Sequence, residues 1–298
     1  MRRREMMIAT GAAMFGLGRF PLGYAAPADG RKRRLLFLTK SSGFEHSVVK
    51  RKDGKLSWAE RILTDLGTAN NFDVTCTKNG SDIAAANLEK YDAFFFYTTG
   101  DLTQPSRDRG DAMTPDGKLA LLGAIASGRG FIGSHCASDT FHTTVGRDAR
   151  RKNQKNPDPY IGMIGGEFIS HGRQQSTRMT VIDSAFPGMK KAGSSFEMHE
   201  EWYALKNFAP DLHVILRGET KGMEGRDYQR PPFPATWARR HSRGRVFYTS
   251  MGHREDVWTN PIFQSILLGG VSWAFRNVNA DVRPNLKTVT PDAYVLER

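Results

Sequence analysis

The chain has 298 residues and a mass of 33.3 kDa, and 39% of the residues are hydrophobic and 25% charged. This composition excludes an intrinsically disordered chain, a collagen-like fibre and a polytopic membrane protein, and two cysteines, Cys76 and Cys136, are too few for a disulfide scaffold or a four-cysteine zinc module. The formal net charge is +12, but the basic residues are spread along the chain rather than gathered on one helix, so we expect no nucleic-acid partner.

Residues 1–28 have the features of an export signal. Arg3 and Arg4 precede a short apolar run, Ile8–Gly18, and this order resembles the twin-arginine motif of proteins that are exported in the folded state. The run is shorter than the roughly 20 apolar residues that span a bilayer, and an A-x-A cleavage site ends at Ala28. We therefore predict a periplasmic or secreted protein, with no stable membrane insertion after signal removal. The alternative is an amphipathic first helix of a cytoplasmic domain.

Strand and helix signals then alternate along the chain. Ser57 and Glu60 form a capping box at the start of a helix. Thr114 as N-cap predicts a second helix that ends near Ser127, and Asn260 before a proline predicts a long final helix. Short apolar runs predict strands at 34–39, 72–77, 92–97, 131–134, 177–182, 212–216 and 245–249. The alternation predicts an α/β sheet with parallel strands, and the long connections 142–160 and 217–234 are expected to be functional or excursive loops.

Four of the eight histidines lie just past a predicted strand or in a glycine-rich turn: His46, His135, His171 and His253. Ligands of an open α/β sheet bind outside the carboxyl ends of the strands, where loops that follow different strands meet. We therefore expect these four imidazoles to converge. The histidines that lack this context are expected to be structural: His142, His213 and His241.

An acidic segment, Glu197–Tyr203, supplies the carboxylates that such a site needs. If the segment is extended, His199 and Glu201 share one face, and Glu200 lies on the other. Such carboxylates can orient an imidazole, act as a general base or bind a cation. The alternative is a solvated acidic edge. We expect Glu201 to join the four histidines.

Cys136 lies in a segment with the outline of a nucleophile elbow, a sharp turn between a strand and a helix. Counted from Gly133, the apex of the turn is His135, and the cysteine comes one residue too late. We therefore expect Cys136 to be a small buried thiol. A cysteine-dependent amidohydrolase is less favoured than a carbohydrate-converting enzyme or a sugar-binding module. The sequence contains no Walker A, HExxH or CxxC pattern, so nothing supports nucleotide hydrolysis or simple zincin chemistry.

A series of motifs resembles, in order, those of the ThuA-like family, which is named for a trehalose-utilisation protein. The most specific stretch is Gly244–His253, and the others are Gly43–His46, Gly128–His135, Gly165–His171, Asp183–Pro187 and Pro234–Trp237. Glu200-Glu-Trp-Tyr203 is similar to the Asp-Glu-x-Tyr of the family, with glutamate in place of the aspartate.

The resemblance implies a flavodoxin-like, class I glutamine amidotransferase-like fold. This fold is a three-layer α/β sandwich with a mostly parallel sheet, here without the catalytic cysteine of that class. With the export signal at 1–28, the predicted organisation is completed by a ThuA-like domain at 34–277 and a C-terminal extension at 278–298. The resemblance also implies a role in sugar metabolism, in which members of the family often act beside sugar oxidoreductases. These neighbouring oxidoreductases suggest an oxidised sugar, a 3-keto-glycoside, as the substrate.

The predicted function is the cleavage or conversion of a glycoside or 3-keto-glycoside, since a 3-keto group acidifies the proton on C2 and its removal lets the C1 substituent leave. The predicted catalytic residues are His135, Glu201, His253 and His46. The predicted substrate-binding residues are His171, Trp202, Tyr203, Trp237 and Asp139. The alternative is a non-catalytic periplasmic sugar-binding module in which Trp202 and Tyr203 stack on the ring.

Neutral imidazoles with one carboxylate also suit zinc or a similar divalent transition metal. The candidate ligands are His135, His171, His253 and Glu201, and the alternative is that the imidazoles bind sugar hydroxyls. The expected partner is a small-molecule carbohydrate. The sequence is compatible with either a monomer or a homo-oligomer. The basic stretch Arg147–Lys152, with Lys155, lacks interleaved aromatic residues and is expected to be a solvated loop rather than a nucleic-acid site.

Overall fold

The computed structural model describes residue 25, residue 27 and residues 29–297. The predicted export signal at 1–28 therefore lies outside the described residues, apart from Ala25 and Pro27. None of the described helices combines the length and the apolar character that a membrane crossing requires.

The described residues form eleven strands and seven α-helices. The strands are β1 (Arg33–Leu38), β2 (Phe72–Thr77), β3 (Ala93–Phe96), β4 (Gly130–Ser134), β5 (Glu167–His171), β6 (Gln175–Val181), β7 (Ser195–Glu200), β8 (Tyr203–Lys206), β9 (His213–Gly218), β10 (Phe233–His241) and β11 (Gly244–Thr249). The helices are α1 (Trp58–Ala69), α2 (Ala85–Leu88), α3 (Pro115–Ala126), α4 (Pro159–Ile164), α5 (Glu255–Thr259), α6 (Pro261–Ala274) and α7 (Leu286–Val289). All seven strands expected from apolar runs are present, and the strands not predicted are β5, β7, β8 and β10.

Nine strands form one sheet in the order β2-β1-β3-β4-β11-β10-β9-β6-β7. The first five of these are parallel neighbours, and the other pairings are antiparallel. Strands β5 and β8 form a separate antiparallel pair. The predicted α/β architecture with a central parallel sheet is confirmed, and the antiparallel extension is a feature that the sequence did not indicate.

The helices begin where their capping residues place them. The hydroxyl of Ser57 accepts a hydrogen bond from the backbone N–H of Glu60, whose carboxylate accepts from the N–H of Ser57 in return. Thr114 caps α3 through the N–H of Gly117, and Asn260 caps α6. These side chains satisfy N–H groups that have no partner within the helix, so the three predicted helix starts are confirmed.

Helices cover both faces of the parallel half of the sheet. A Cβ on Gly270 of α6 would lie 2.5 Å from the ring of Phe247, whereas a Cβ on Gly133 would touch both Tyr248 and Ile164 of α4 at 3.0 Å. Phe247 and Tyr248 are successive residues of β11, so they point to opposite faces, and α6 and α4 lie in different layers. The central strands are therefore buried on both sides, which explains their continuous apolar sequences.

The residues after α6 pack back onto the antiparallel half of the sheet. The Asn285 side chain accepts from the N–H of Val214 at 2.7 Å and donates to its carbonyl at 3.1 Å. His213 donates to the carbonyl of Arg283 at 2.8 Å. The segment expected to be an extension is thus bonded to β9 rather than separate from the sheet.

Candidate functional site

Three histidines meet at the carboxyl edge of the parallel strands. His46 follows β1, His135 follows β4 directly, and His253 follows β11. Their ring centroids are 5.1 Å (His46–His135), 5.2 Å (His46–His253) and 5.1 Å (His135–His253) apart, so the rings form a nearly equilateral triangle. Loops after parallel strands open in the same direction, which is why residues far apart in the sequence meet here.

Glu201 joins this triangle from the end of β7. Its Oε2 lies 3.5 Å from Nε2 of His135 and 3.1 Å from Nδ1 of His253. Its Oε1 lies 3.3 Å from Nδ1 of His171, whose side chain is 44% exposed. One potential ligand atom from each of His46, His135, Glu201 and His253 lies within 4.8 Å of the others. The structure thus brings together all five residues that were expected to converge.

The backbone places His135 at the apex of the turn after β4. Its φ is 45°, a left-handed conformation that residues other than glycine rarely adopt. The hydroxyl of Tyr248 donates to the carbonyl of His135 at 2.8 Å. Cys136 is fully buried in the next position, and burial raises the pKa of its thiol well above the ordinary value. The apex therefore presents an imidazole rather than a thiol, as the spacing predicted.

A hydrogen bond fixes which nitrogen of His135 carries the proton. Nδ1 lies 3.1 Å from the carbonyl oxygen of Ser250. Because a carbonyl only accepts, Nδ1 carries the proton, and in the neutral imidazole Nε2 keeps its lone pair. Nε2 is the atom that faces Glu201 and, at 3.3 Å, Nδ1 of His253.

Glu200 holds the turn that carries His253. Its Oε1 accepts from the N–H of Gly252 at 2.8 Å and from the N–H of His253. The indole of Trp258 donates to the carbonyl of Gly252 at 2.7 Å. Glu200 is fully buried, and this burial raises the pKa of its carboxyl to about 7. Glu200 and Glu201, although adjacent, therefore have different roles: one positions a turn and the other enters the cluster.

Burial and ion pairing shift the pKa values of the cluster in different directions. Burial lowers the pKa of His46 well below its ordinary value and also lowers that of His135. Burial disfavours the charged forms of His253 and Glu201 as well, but there the hydrogen bonds prevail. Hydrogen bonding to Glu201 raises the pKa of His253, and the contacts with His135 and His253 lower that of Glu201. The lowered pKa of Glu201 keeps its carboxylate ionised and the raised pKa of His253 favours the imidazolium, so a base lies beside an acid.

The aromatic residues predicted to bind substrate are largely inaccessible. Trp237 is fully buried and donates to the carbonyl of Ile164 at 2.8 Å. Trp202 is 3% exposed and donates to the carbonyl of Gln175 at 3.0 Å. Neither indole can present a face to a sugar, which corrects their predicted place in the site. Tyr203 is also buried, but its hydroxyl lies 3.3 Å from Nε2 of His46, so it forms part of the cluster wall.

A second polar cluster lies on the far side of Phe168, around His142, which was expected to be structural. His142 contacts Asp139 through Nε2 and Glu167 through Nδ1, the latter at 3.1 Å. Burial opposes the charged form of His142, but the two carboxylates raise its pKa to about 9. With Lys206 and the Phe168 ring, this histidine lines a cavity of about 440 Å³. Asp139 was predicted to bind substrate, and in the structure it pairs with His142. The spacing of the two residues by three positions is too common to have indicated this pair.

Comparison with known proteins defines the family of the chain. The family model described as trehalose utilisation, ThuA, matches residues 34–274. The chain belongs to the ThuA family. No curated protein sequence matches it.

Solved structures of ThuA-like proteins have the same fold. One from Bacteroides uniformis ATCC 8492 is 20% identical, with a TM-score of 0.58 over 86% of this chain and 95% of that one. Another, from Parabacteroides merdae ATCC 43184, is 15% identical, with a TM-score of 0.54 over 84% of this chain and 92% of that one. At these identities the likeness describes the fold of this ThuA-family protein and not its reaction.

Proposed function

We propose that this ThuA-family protein is an exported enzyme of carbohydrate metabolism that cleaves or converts a glycoside or 3-keto-glycoside by histidine–glutamate acid–base chemistry. The observation that carries the proposal is the convergence of His46, His135, Glu201 and His253, whose ligand atoms lie within 4.8 Å of one another. The family description, trehalose utilisation, supports a carbohydrate as substrate. The active site of an α/β protein usually lies at the carboxyl edge of the sheet, where titratable side chains converge.

The proposed reaction is an elimination across C1 and C2 of a 3-keto-glycoside. The carboxylate of Glu201, whose side chain is 12% exposed, takes the C2 proton, and the C–H electron pair passes into the enolate of the 3-keto group. The enolate then forms the C1=C2 double bond as the C1–O bond breaks. The leaving oxygen takes a proton from His253, whose Nδ1 lies 3.1 Å from Glu201. The charge of Glu201 favours the protonated form of His253, and the fully buried His135 holds Glu201 in place.

A divalent transition metal bound by the same four side chains could also assist the elimination. Four ligands at about 2.1 Å from a tetrahedral zinc ion lie about 3.4 Å apart, so ligand atoms within 4.8 Å need shifts of about 1 Å to bind. Nδ1 of His46 is buried and has no hydrogen-bond partner within the described part of the chain, as expected where a ligand completes the site. A bound metal supplies Lewis-acid stabilisation of an enolate oxygen. The structure groups His46, rather than the predicted His171, with the other three.

The proposal is tested by incubating the protein with trehalose and with 3-keto-trehalose, with and without a chelator, and following the products by mass spectrometry. Replacing Glu201→Gln keeps the shape of the side chain but removes its charge, and we expect turnover to fall about a hundredfold or more. The matched control is Glu197→Gln, an exposed position of β7, which we expect to keep wild-type turnover.

The outcomes separate the candidates. Turnover that survives the chelator supports acid–base chemistry alone, and turnover that returns only with zinc or manganese supports metal assistance. Binding of the sugars without any turnover contradicts an enzyme and supports a sugar-binding module.

A further inference from the structure

We propose that the ring of Phe44 is a platform on which the apolar face of a pyranose ring stacks. The inference rests on the proposed function. It adds that the substrate has a pyranose ring with one unsubstituted face. Phe44 is 63% exposed, whereas His46, two positions later, is 3% exposed. The two ring centroids are 5.0 Å apart and the rings are perpendicular. The path from the His46 ring to the Phe44 ring therefore leads from the buried cluster to solvent, so Phe44 lies at the rim of the site.

The backbone beneath Phe44 is anchored although its side chain is exposed. The N–H groups of Ser42 and Gly43 donate to the carbonyl of Thr99 at 2.9 and 3.0 Å. The hydroxyl of Thr99 donates to the carbonyl of Phe44 at 2.8 Å. A Cβ on Gly43 would lie only 3.3 Å from the Thr99 side chain, so the two segments are in close contact. The exposed ring is therefore presented by a fixed loop, and little conformational entropy is lost when a ligand packs on it.

A carbohydrate is the ligand that these surroundings fit. One face of a pyranose ring carries mainly C–H groups, and the face of an aromatic ring is electron-rich and attracts them. Ligand sites combine such apolar surface with a few polar groups that fix orientation, and here the imidazoles and Glu201 supply the polar side. Trp202 and Trp237 cannot provide the apolar side because they are buried. Single exposed apolar side chains are common on protein surfaces, and what distinguishes Phe44 is its contact with the cluster.

The test measures binding and turnover of trehalose and 3-keto-trehalose by three variants at this position. Phe44→Ala removes the ring, Phe44→Leu keeps apolar area without an aromatic face, and Phe44→Trp keeps the face. We expect the alanine and leucine variants to raise Kd and KM about fivefold or more, corresponding to the loss of one aromatic contact, with kcat within about twofold. The tryptophan variant should retain wild-type values, and its indole fluorescence should change on sugar addition. Leu119→Ala, at a position 67% exposed on α3, is the control and should change nothing.

The results distinguish failure of the platform from failure of the proposed function. If the wild type turns over the sugar and Phe44→Ala does so with the same KM, the platform is wrong and the function stands. If the wild type binds but does not convert the sugars, and Phe44→Ala weakens that binding, the platform stands and the enzyme proposal is wrong. If leucine restores wild-type binding, the contact is not aromatic stacking and the inference is overturned. If the wild type binds neither sugar, both proposals fail.

Discussion

His135 combines an unusual backbone conformation with a central position in the candidate site. Its φ of 45° places the imidazole at the apex of the turn that follows a buried strand. This conformation costs a residue other than glycine about 1–3 kcal/mol. The hydrogen bonds of its backbone carbonyl and its Nδ1 hold that conformation. In an elbow only one side chain occupies the apex, so the position of Cys136, one residue later, decides its role.

Cys136→Ala is therefore expected to leave turnover of the active substrate within about threefold of wild type, because the thiol is buried and its raised pKa keeps it protonated. The measurement is kcat/KM, with circular dichroism as a control for folding. Loss of turnover in a folded variant would show that the thiol takes part in the reaction and would favour the amidohydrolase alternative.

His142 lies between the carboxylates of Asp139 and Glu167, and its charge affects the stability of the fold. The neighbouring charges are Lys206, 3.6 Å from Glu167, and Arg150, which lines the same cavity. The pKa of His142 is raised from 6.5 to about 9 in the folded protein. A group with a raised folded pKa stabilises the fold fully below its unfolded pKa and loses this contribution as the pH rises through the folded value.

We therefore expect the free energy of unfolding of the wild type to fall between about pH 6.5 and pH 9.5 relative to that of His142→Gln. Urea unfolding of both proteins at several pH values in this range measures the difference. The side chain is 42% exposed, so solvent screening makes the effect smaller than the pKa shift alone implies. A stability difference that does not vary with pH contradicts the charged assignment of His142.

At the scale of elements, the turn after β11 shows how tightly the site is built. Gly252 has a φ of 119°, and a Cβ there would lie 2.6 Å from the hydroxyl oxygen of Ser134. The same turn is held by Glu200 and Trp258. Its conformation therefore requires glycine, and His253 depends on it for its position.

Gly252→Ala is expected to lower the free energy of unfolding by about 1–3 kcal/mol and to reduce turnover, since it displaces His253. The matched control is Gly123→Ala in α3, where a Cβ would meet nothing within 4 Å. That replacement should stabilise the protein by about 0.4–1 kcal/mol and leave turnover unchanged. Urea unfolding and kcat/KM of both variants test the pair, and equal effects of the two replacements would contradict the role of the turn.

The antiparallel elements complete the site that the parallel strands begin. Glu201 follows β7, the last strand of the sheet, and His171 ends β5 opposite Tyr203 of β8. The parallel strands alone would bring together only imidazoles. The carboxylate that links them arrives from the other half of the molecule, so the two halves of the sheet must be folded together for the site to exist.

At the scale of the whole molecule, export remains a prediction from the first residues. Arg3 and Arg4 precede a short apolar run, and twin-arginine signals direct folded proteins. Replacing both arginines with lysine is expected to trap the precursor in the cytoplasm, as shown by immunoblots of cell fractions. Unchanged periplasmic yield would contradict this route.

The sequence by itself determined the features that depend on short segments. Capping side chains such as Ser57, Thr114 and Asn260 act on backbone groups within a few residues, and a strand buried on both faces is apolar along its whole length. The four histidines were identified for the same reason, because each directly follows such a segment or lies in a glycine-rich turn. The family was also identifiable, since its motifs are local in the chain.

The tertiary structure alone decided which surfaces each side chain meets. An apolar or aromatic residue has the same sequence signature in the core and at a ligand site, so Trp237 and Phe44 could not be told apart until one was found buried and the other exposed. The grouping of His46, instead of His171, with the other potential metal ligands, and the pairing of His142 with Glu167, depend on contacts between distant segments. Such contacts follow from strand order and register, and hydrophobic pattern specifies that a strand is buried without specifying its neighbour.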